Sequence, residues 1–284
     1  MSKWVLGVIG GSGLYQIDGL RGEWVKVETP FGAPSDDVFV GELDGQKIAF
    51  LPRHGRGHVY TPSTINYRAN IYALKSLGVT DILSVSAVGS LKHKYKPGEF
   101  VMVDQFIDRT FAREKTFFGN GLVAHVSMAQ PICQRLSNFA YEAAIKAGAK
   151  AHIGGTYMVM EGPQFSSKAE SELYRSWNCD VIGMTNMPEA KLAREAQIPY
   201  ATIAMVTDYD CWNEDHDHVD VASVVKIMHE NSARAKDTIK NLARFLSQKP
   251  RTPSMIDKAL ENAIITAPDA RDKEMLEKLA IIIS

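Results

Sequence analysis

The sequence predicts an α/β fold in which helices cover both faces of a central sheet. Short apolar runs, typical of strands that are buried on both faces, recur along the chain. Segments with helical periodicity separate many of these runs, and several runs end in glycine, serine or charged residues. Strands and helices in this order predict a three-layer αβα architecture.

Local patterns define the individual strands and helices. Asp44-Gly45 is a strong two-residue hairpin signal between two strand patterns, and Ser167 and Glu170 have the spacing of a helix capping box. The predicted strands are Val5–Ile9, Val38–Leu43, Gln46–Pro52, Ile82–Leu91, Glu99–Ile107, Met158–Glu161, Asp180–Thr185 and residues 198–206. The predicted helices are Thr64–Leu77, residues 131–147, one that begins at Ser167, one that begins at Pro188, and residues 219–246.

Length and composition are those of an ordinary globular protein. No linker, repeat or low-complexity stretch divides the 284 residues, so we expect a single domain, 1–284, with residues 251–284 as a helical tail. A formal charge of −1 without a basic stripe argues against nucleic acid as a partner. No apolar run is long enough to span a membrane. Three cysteines without framework spacing indicate a reducing compartment, and we expect the cytoplasm.

Two carboxylates follow the buried strand at residues 198–206. On an extended strand, Asp208 and Asp210 project on the same side because side chains alternate with a period of two. Neighbouring carboxylates at the end of a buried strand are costly unless a ligand uses them. A ligand with an amino donor and a basic ring nitrogen fits such a pair. A solvated turn or a helix N-cap is the alternative for an isolated Asp-x-Asp.

Other predicted strands end in groups that suit an oxyanion. The glycine turn at Gly10–Leu14 brings backbone N–H groups and the Ser12 hydroxyl close together, and Arg53-His54 follows another strand. The Gly10–Leu14 turn is not a dinucleotide fingerprint, because Gln16 stands where the last glycine is required.

Metal sites are not favoured anywhere in the sequence. His54 and His58 are four residues apart, but the glycines between them argue against a helix that would pair their rings. The acidic stretch Glu214–His218 could bind a metal, but its pattern is more typical of a solvated loop at the start of a helix.

Together these segments resemble the purine nucleoside phosphorylase family of trimeric enzymes, in its S-methyl-5′-thioadenosine phosphorylase branch. The ordered blocks that carry the resemblance are Gly7–Leu14, Thr29–Ser35, Arg53–Arg56, Asn66–Asn70, Asp104–Thr110, Glu161–Ser167, Met184-Thr185 and Thr207–Trp212. The resemblance implies a mixed, twisted central sheet. It also implies phosphorolysis of a nucleoside, with inorganic phosphate as co-substrate, no cofactor and no metal. The assembly that it implies is a homotrimer or a dimer of trimers.

The resemblance also implies roles for individual residues. The phosphate positions are Ser12, Arg53, His54, Ser86, Ala87 (through its backbone) and Thr185. The nucleoside positions are Phe165, Met184, Asp208, Tyr209 and Asp210, with His125 reaching the 5′ end from a neighbouring subunit. Ser166 and Val221 fall where the family selects its nucleoside. Gln164 departs from the arginine that relatives often carry, and the tail from Arg251 to Ser284 matches little of the family pattern.

The implied chemistry assigns the two aspartates different tasks. Asp208 protonates or hydrogen-bonds N7 of the departing purine, and Asp210 recognises the 6-amino group; which of them carries the proton stays open. Three other functions are weighed: a 6-oxopurine nucleoside phosphorylase, a nucleosidase that uses water, and a nucleotide-binding protein without catalysis. A keto oxygen opposite a carboxylate is repulsive, which argues against the first. The cluster of anion donors argues against water as the attacking group.

Overall fold

The computed structural model describes residues 3–11, 14, 17–213 and 221–284, and for 221–224 it describes the helical backbone only. The strands are β1 Val5–Gly10, β2 Arg21–Val25, β3 Val38–Leu43, β4 Gln46–Pro52, β5 Asp81–Ser90, β6 Phe100–Met102, β7 Gln105–Asp108, β8 Ala151–Ile153, β9 Thr156–Val159, β10 Val181–Gly183 and β11 Tyr200–Asp208. The α-helices are α1 Tyr67–Ser76, α2 Gln134–Lys146, α3 Lys168–Ser176, α4 Asn186–Glu195, α5 Val221–Ser247, α6 Lys273–Lys278 and α7 Ala280–Ile283. Within these ranges no helix is both long and apolar enough to cross a membrane.

All the described strands belong to one mixed sheet that branches at β5. The main path runs β2-β3-β4-β1-β5-β10-β9-β7, and the second branch continues from β5 through β11 and β6 to β8. Strands β1, β4, β5 and β11 run parallel to their neighbours in the centre, whereas β10 and β6 pair antiparallel to β5 and β11. The carboxyl ends of four parallel strands therefore meet at one edge, where loops can build a site.

Helices cover the two faces of this sheet. Helices α2 and α5 pack on each other and on β11, while α1 and α4 pack together on the opposite side, with α4 against β5 and β11. The central strands are mostly apolar and buried, and Leu6, Leu83 and Ile203 have no exposed surface. The predicted three-layer αβα fold with a mixed sheet is confirmed.

Most predicted elements are present, and the hairpin matches residue for residue. Asp44 and Gly45 have φ angles of 51° and 80°, as a two-residue turn of this class requires. The prediction of one strand over Glu99–Ile107 is wrong. The chain forms β6 and then β7, which lie on different branches of the sheet, because the N–H groups of Asp104 and Gln105 both turn to the carbonyl of Gly155. The short edge strands β2 and β8 carry no clear apolar pattern and were not predicted.

The tail after α5 packs against the body of the protein. Leu279 and Ile282 are fully buried, and α7 contacts α1. Arg251 forms ion pairs with Asp81 at the start of β5 (2.5 Å) and with Asp257. These contacts support our proposal that residues 1–284 form a single domain.

Candidate active site

A cavity of about 430 Å³ opens where the central strands end. Residues from the carboxyl ends of β4, β5, β10 and β11 line it, together with the segments His58–Pro62 and Met160–Phe165 and one residue of α5. Most of the sequence-predicted site residues meet in this cavity: Arg53, His54, Ser86, Ala87, Phe165, Met184, Thr185, Asp208 and Asp210. Ser12 lies outside the described residues.

The two aspartates face the cavity by a route that differs from the prediction. Asp208 is the last residue of β11, but the strand pairing is irregular after Val206, and Asp210 lies in a 3-10 turn with a φ of 50°. The backbone N–H of Asp210 donates to Asp208 Oδ2 at 2.9 Å. Simple alternation along one strand is therefore wrong as an explanation, because the tight turn brings the second carboxylate to the first.

Glycine at position 89 makes room for this pair. Glycine has no Cβ atom, and a Cβ added at position 89 would lie only 3.0 Å from Asp208 Oδ2 and 3.4 Å from Asp210 Cβ. Carbon and oxygen that close repel each other, so a side chain here moves one of the carboxylates. Gly89 is thus part of the geometry that holds the acid pair.

Burial sets the protonation of the two carboxyl groups. Burial raises the pKa of Asp208, although the Thr207 hydroxyl and the Asp210 N–H donate to its two oxygens and oppose the shift. Burial raises the pKa of Asp210 to about 6, and the charge of Asp208 adds to the effect. The Ser171 hydroxyl donates to Asp210 Oδ2 at 2.6 Å and works in the opposite direction. The pair can therefore hold a proton close to neutral pH.

Arg53 enters from the end of β4 and is almost wholly enclosed. Its side chain is 1% exposed and forms a two-point ion pair with Glu189, with Nε–Oε2 at 2.8 Å and Nη2–Oε1 at 3.0 Å. Further bonds run from Nη1 to the carbonyl of Val85 (2.9 Å) and from Nη2 to the Ser84 hydroxyl (2.6 Å). Arg53 lines the cavity, but most of its donors are directed at the protein.

His54 lies beside Arg53 as a neutral imidazole. Its Nδ1–H donates to the carbonyl of Tyr60 at 2.8 Å, since a carbonyl oxygen only accepts. Burial lowers the pKa of His54 to about 4, and the charge of Arg53 acts in the same direction. The ring of His58 stacks on it with centroids 4.2 Å apart and an interplanar angle of 11°.

Two hydroxyl groups predicted to hold phosphate, those of Ser86 and Thr185, are buried in the cavity lining. Ser86, near the end of β5, is 6% exposed, and its Oγ lies 3.4 Å from the Tyr157 hydroxyl. Thr185 is 7% exposed and stands at the N-cap position of α4; its hydroxyl makes no capping hydrogen bond, and Met187 interrupts the first turn with extended backbone angles. With the backbone at Ala87, these groups supply neutral donors for an oxyanion.

Four predicted residues stand elsewhere or are not fully described. Tyr209 does not line the cavity. It follows Asp208 and points away from it, and its side chain packs in an apolar cluster with Leu91, Tyr174 and Trp212. Ser166 lies behind the lining, with its hydroxyl 3.7 Å from the sulfur of Met160. His125 is exposed and does not line the cavity of its own chain. Val221 begins α5, and its side chain lies outside the described set.

Arg113 and Glu161 hold the segments of the cavity wall together by hydrogen bonds. Neither of them is predicted as a site residue from the sequence. Arg113 Nη1 donates to the carbonyls of Met184 and Met187, each at 2.6 Å, and Nη2 donates to the carbonyl of Glu161 at 2.6 Å. The Glu161 carboxylate accepts from Arg113 Nε and from the backbone N–H of Phe111. This hub fixes the segments that carry Met184 and Phe165. Its arginine lies in a loop without periodicity, so no sequence signal marks it.

The fold and this cavity bring a carboxylate pair and a cluster of anion donors together in one site. A family model described as Phosphorylase superfamily matches residues 5–244. S-methyl-5′-thioadenosine phosphorylase from Cereibacter sphaeroides is 58% identical over 279 residues, which cover 98% of this chain and 96% of the relative. The enzyme of the same name from Rhodospirillum rubrum is 59% identical over 280 residues, covering 98% and 95%.

Solved structures agree with these relatives. A methylthioadenosine phosphorylase from an antarctic soil metagenomic library has a TM-score of 0.94 and 47% identity, and covers 100% of both chains. Methylthioadenosine phosphorylase from Schistosoma mansoni in complex with adenine has a TM-score of 0.86 and 34% identity, covering 93% of this chain and 100% of that chain. The chain belongs to the phosphorylase superfamily and, within it, to the S-methyl-5′-thioadenosine phosphorylases.

Proposed function

We infer that this protein catalyses the phosphorolysis of S-methyl-5′-thioadenosine to adenine and 5-methylthioribose 1-phosphate. The observation that carries this function is one cavity that holds two carboxyl groups, whose pKa values are raised by burial, together with a cluster of anion donors. Homologues with more than half of their residues identical bear the name of this activity. The chain acts as a pentosyltransferase, with the ribosyl group passing from adenine to phosphate.

The acid pair and the phosphate donors both promote cleavage of the N9–C1′ bond. Breaking N9–C1′ places positive charge on the ribose and negative charge on the purine, so an anion beneath the sugar and a proton at the base both stabilise the transition state. We propose that Ser86, Thr185 and the backbone at Ala87 hold phosphate, with Arg53, His54 and Ser12 beside them. Asp208 delivers or shares a proton at N7, and Asp210 accepts a hydrogen bond from the 6-amino group.

The other two reactions fit this cavity less well. A 6-oxopurine presents a keto oxygen to Asp210, and two acceptors without a proton between them repel each other. Water as the attacking group brings no negative charge for the donors at Ser86 and Thr185 to stabilise, whereas phosphate does. We propose that inorganic phosphate is the co-substrate, that no cofactor is required, and that the enzyme serves purine and methionine salvage in the cytoplasm.

Turnover is expected to require inorganic phosphate. Product analysis with methylthioadenosine and adenosine, each with and without phosphate, tests this directly: adenine and a ribose 1-phosphate form only when phosphate is present. Free methylthioribose that accumulates at an undiminished rate in phosphate-free buffer contradicts the proposal and assigns a nucleosidase.

We propose that the active assembly is a homotrimer in which His125 completes the 5′ end of a neighbouring pocket. His125 is exposed and is not part of the lining of its own chain's cavity, which supports this role. His125→Ala and Asp208→Asn are each expected to be impaired, and subunit exchange between them restores activity. In a mixed assembly, a pocket with an intact Asp208 meets a neighbour with an intact His125. No gain on mixing, or an active monomer in sedimentation at micromolar concentration, contradicts this arrangement.

A further inference from the structure

Arg53, which lines the cavity, forms a buried ion pair with Glu189. Both side chains are only 1% exposed, and they meet through two N–H···O bonds of 2.8 and 3.0 Å. A carboxylate paired in this way with a guanidinium cancels most of its charge as felt from outside the pair. Arg53, the one arginine among the described lining residues, thus presents little net charge to an incoming anion.

The hydrogen bonds of Arg53 lead to the same conclusion. A guanidinium has five N–H donors. Within the described residues, Glu189 receives two of them, and Ser84 and the carbonyl of Val85 receive one each. The carbonyl of Ile9, 3.3 Å from Nη2, shares the two N–H groups of that nitrogen. With these partners bound, one N–H on Nη1 is left for a ligand. Arg53 therefore cannot form a bidentate pair of hydrogen bonds with phosphate.

Glu189 is itself held in place by neighbours that carry no charge. The Tyr200 hydroxyl donates to Glu189 Oε1 at 2.9 Å, and the Asn186 amide donates to the Tyr200 hydroxyl at 2.6 Å and to Ser84 at 2.9 Å. Asn186 has no exposed surface, and Tyr200 has 1%. The carboxylate is therefore fixed, and its charge is opposed by Arg53 alone among these groups.

The rest of the described lining supplies little positive charge. It contains no lysine and no second arginine, and its other basic groups are the stacked imidazoles of His54 and His58. His54 is neutral because burial lowers its pKa to about 4. The described lining therefore offers an incoming phosphate mainly neutral donors, among them Ser86 and Thr185.

We propose that Glu189 is a positioning residue that orients Arg53 and, by cancelling its charge, weakens the binding of phosphate. The inference rests on the proposed phosphorolysis. An anion that is bound too tightly in the ground state gains nothing in the transition state, and the ribose 1-phosphate product must leave the same donors. Glu189 thereby favours turnover over affinity.

Glu189→Gln tests the proposal by thermal unfolding at increasing concentrations of inorganic phosphate. The amide keeps the shape but leaves the Arg53 charge uncompensated, so we expect a lower Tm without phosphate. Phosphate should restore that charge balance, so its dissociation constant is expected to fall by about tenfold or more, with a larger phosphate-induced rise in Tm than in the wild type. Steady-state kinetics should show a lower KM for phosphate together with a lower kcat.

Glu195→Gln is the matched control, since Glu195 is another buried carboxyl on α4 but lies outside the cavity lining. Its carboxylate accepts from Thr116 and from the backbone of Phe117. We expect this variant to lose Tm equally with and without phosphate. A residue with a merely structural role behaves in that way, so an equal or smaller phosphate effect in Glu189→Gln overturns the proposal.

Two further arms keep the experiment decisive. A wild-type protein whose Tm does not change with phosphate contradicts the proposed function itself, which separates that failure from failure of the inference.

If Glu189→Gln cannot be obtained folded, the double variant Arg53→Met with Glu189→Met removes both buried charges. We then expect phosphate affinity to fall by only about threefold to tenfold, the value of one neutral hydrogen bond. A loss of more than about 100-fold shows that the Arg53 charge holds phosphate, and overturns the proposal.

Discussion

Replacing Asp208 by Asn is expected to slow turnover of adenine nucleosides by about 10²–10⁴-fold, the usual contribution of a general acid. The amide keeps the shape of the side chain and can still accept from Thr207, whose hydroxyl lies 2.6 Å from Oδ1. It cannot supply a proton of useful acidity to N7 of the departing base. The measurement is kcat with methylthioadenosine at saturating phosphate, with the Tm recorded to verify folding.

Asp210→Asn is the matched control for this experiment. Asp210 also lines the cavity and is also buried, but its proposed task is to accept a hydrogen bond from the 6-amino group. An amide at position 210 can donate to a keto oxygen. The kcat/KM of this variant is therefore expected to fall with adenine nucleosides and to rise with 6-oxopurine nucleosides. Asp208→Asn should not show that exchange of preference. A wild-type rate in Asp208→Asn excludes Asp208 as the acid.

The sequence was most informative where one local pattern determines the structure. The hairpin around Asp44-Gly45 and the capping box of Ser167 and Glu170 depend on neighbouring residues, and both are present as predicted. The buried strands were recognisable from their apolar runs, and their ends led to Arg53 and Asp208. The resemblance to a known family then added roles that spacing alone left open.

Long-range partners were the part that sequence reasoning could not supply. Glu189 meets Arg53 across 136 positions, and Ser171 meets Asp210 across 39, so no local pattern connects either pair. Arg113 satisfies carbonyl groups on segments far along the chain, and carbonyls carry no sequence signal at all. The tight turn after Asp208 was missed for a related reason, because an aspartate with positive φ looks like any other aspartate in the sequence.

The 5′ substituent should decide how well a nucleoside is used. A ribose hydroxyl needs a polar partner, whereas a methylthio group needs an apolar wall with room for sulfur. The cavity lining includes Leu14, Val59, Met160 and Met228, and the methionines suit a thioether because their own sulfur is soft and adaptable. Met228 lies two turns beyond the start of α5, the helix that begins with Val221, the position implicated from the sequence in nucleoside choice.

We therefore expect methylthioadenosine to be preferred over adenosine by roughly 10–200-fold in kcat/KM, since a full contact in an apolar pocket contributes about 1–3 kcal/mol. Val221→Asp should narrow or reverse this preference, and Met228→Gln should narrow it by adding a polar group without a large change in volume. Ile145→Gln is the control: this exposed residue of α2 lies outside the lining, and its replacement should leave the ratio unchanged. Equal kcat/KM values for the two nucleosides in the wild type contradict the assignment of an apolar 5′ wall, yet they leave phosphorolysis itself intact, because the acid pair and the anion donors do not depend on that wall.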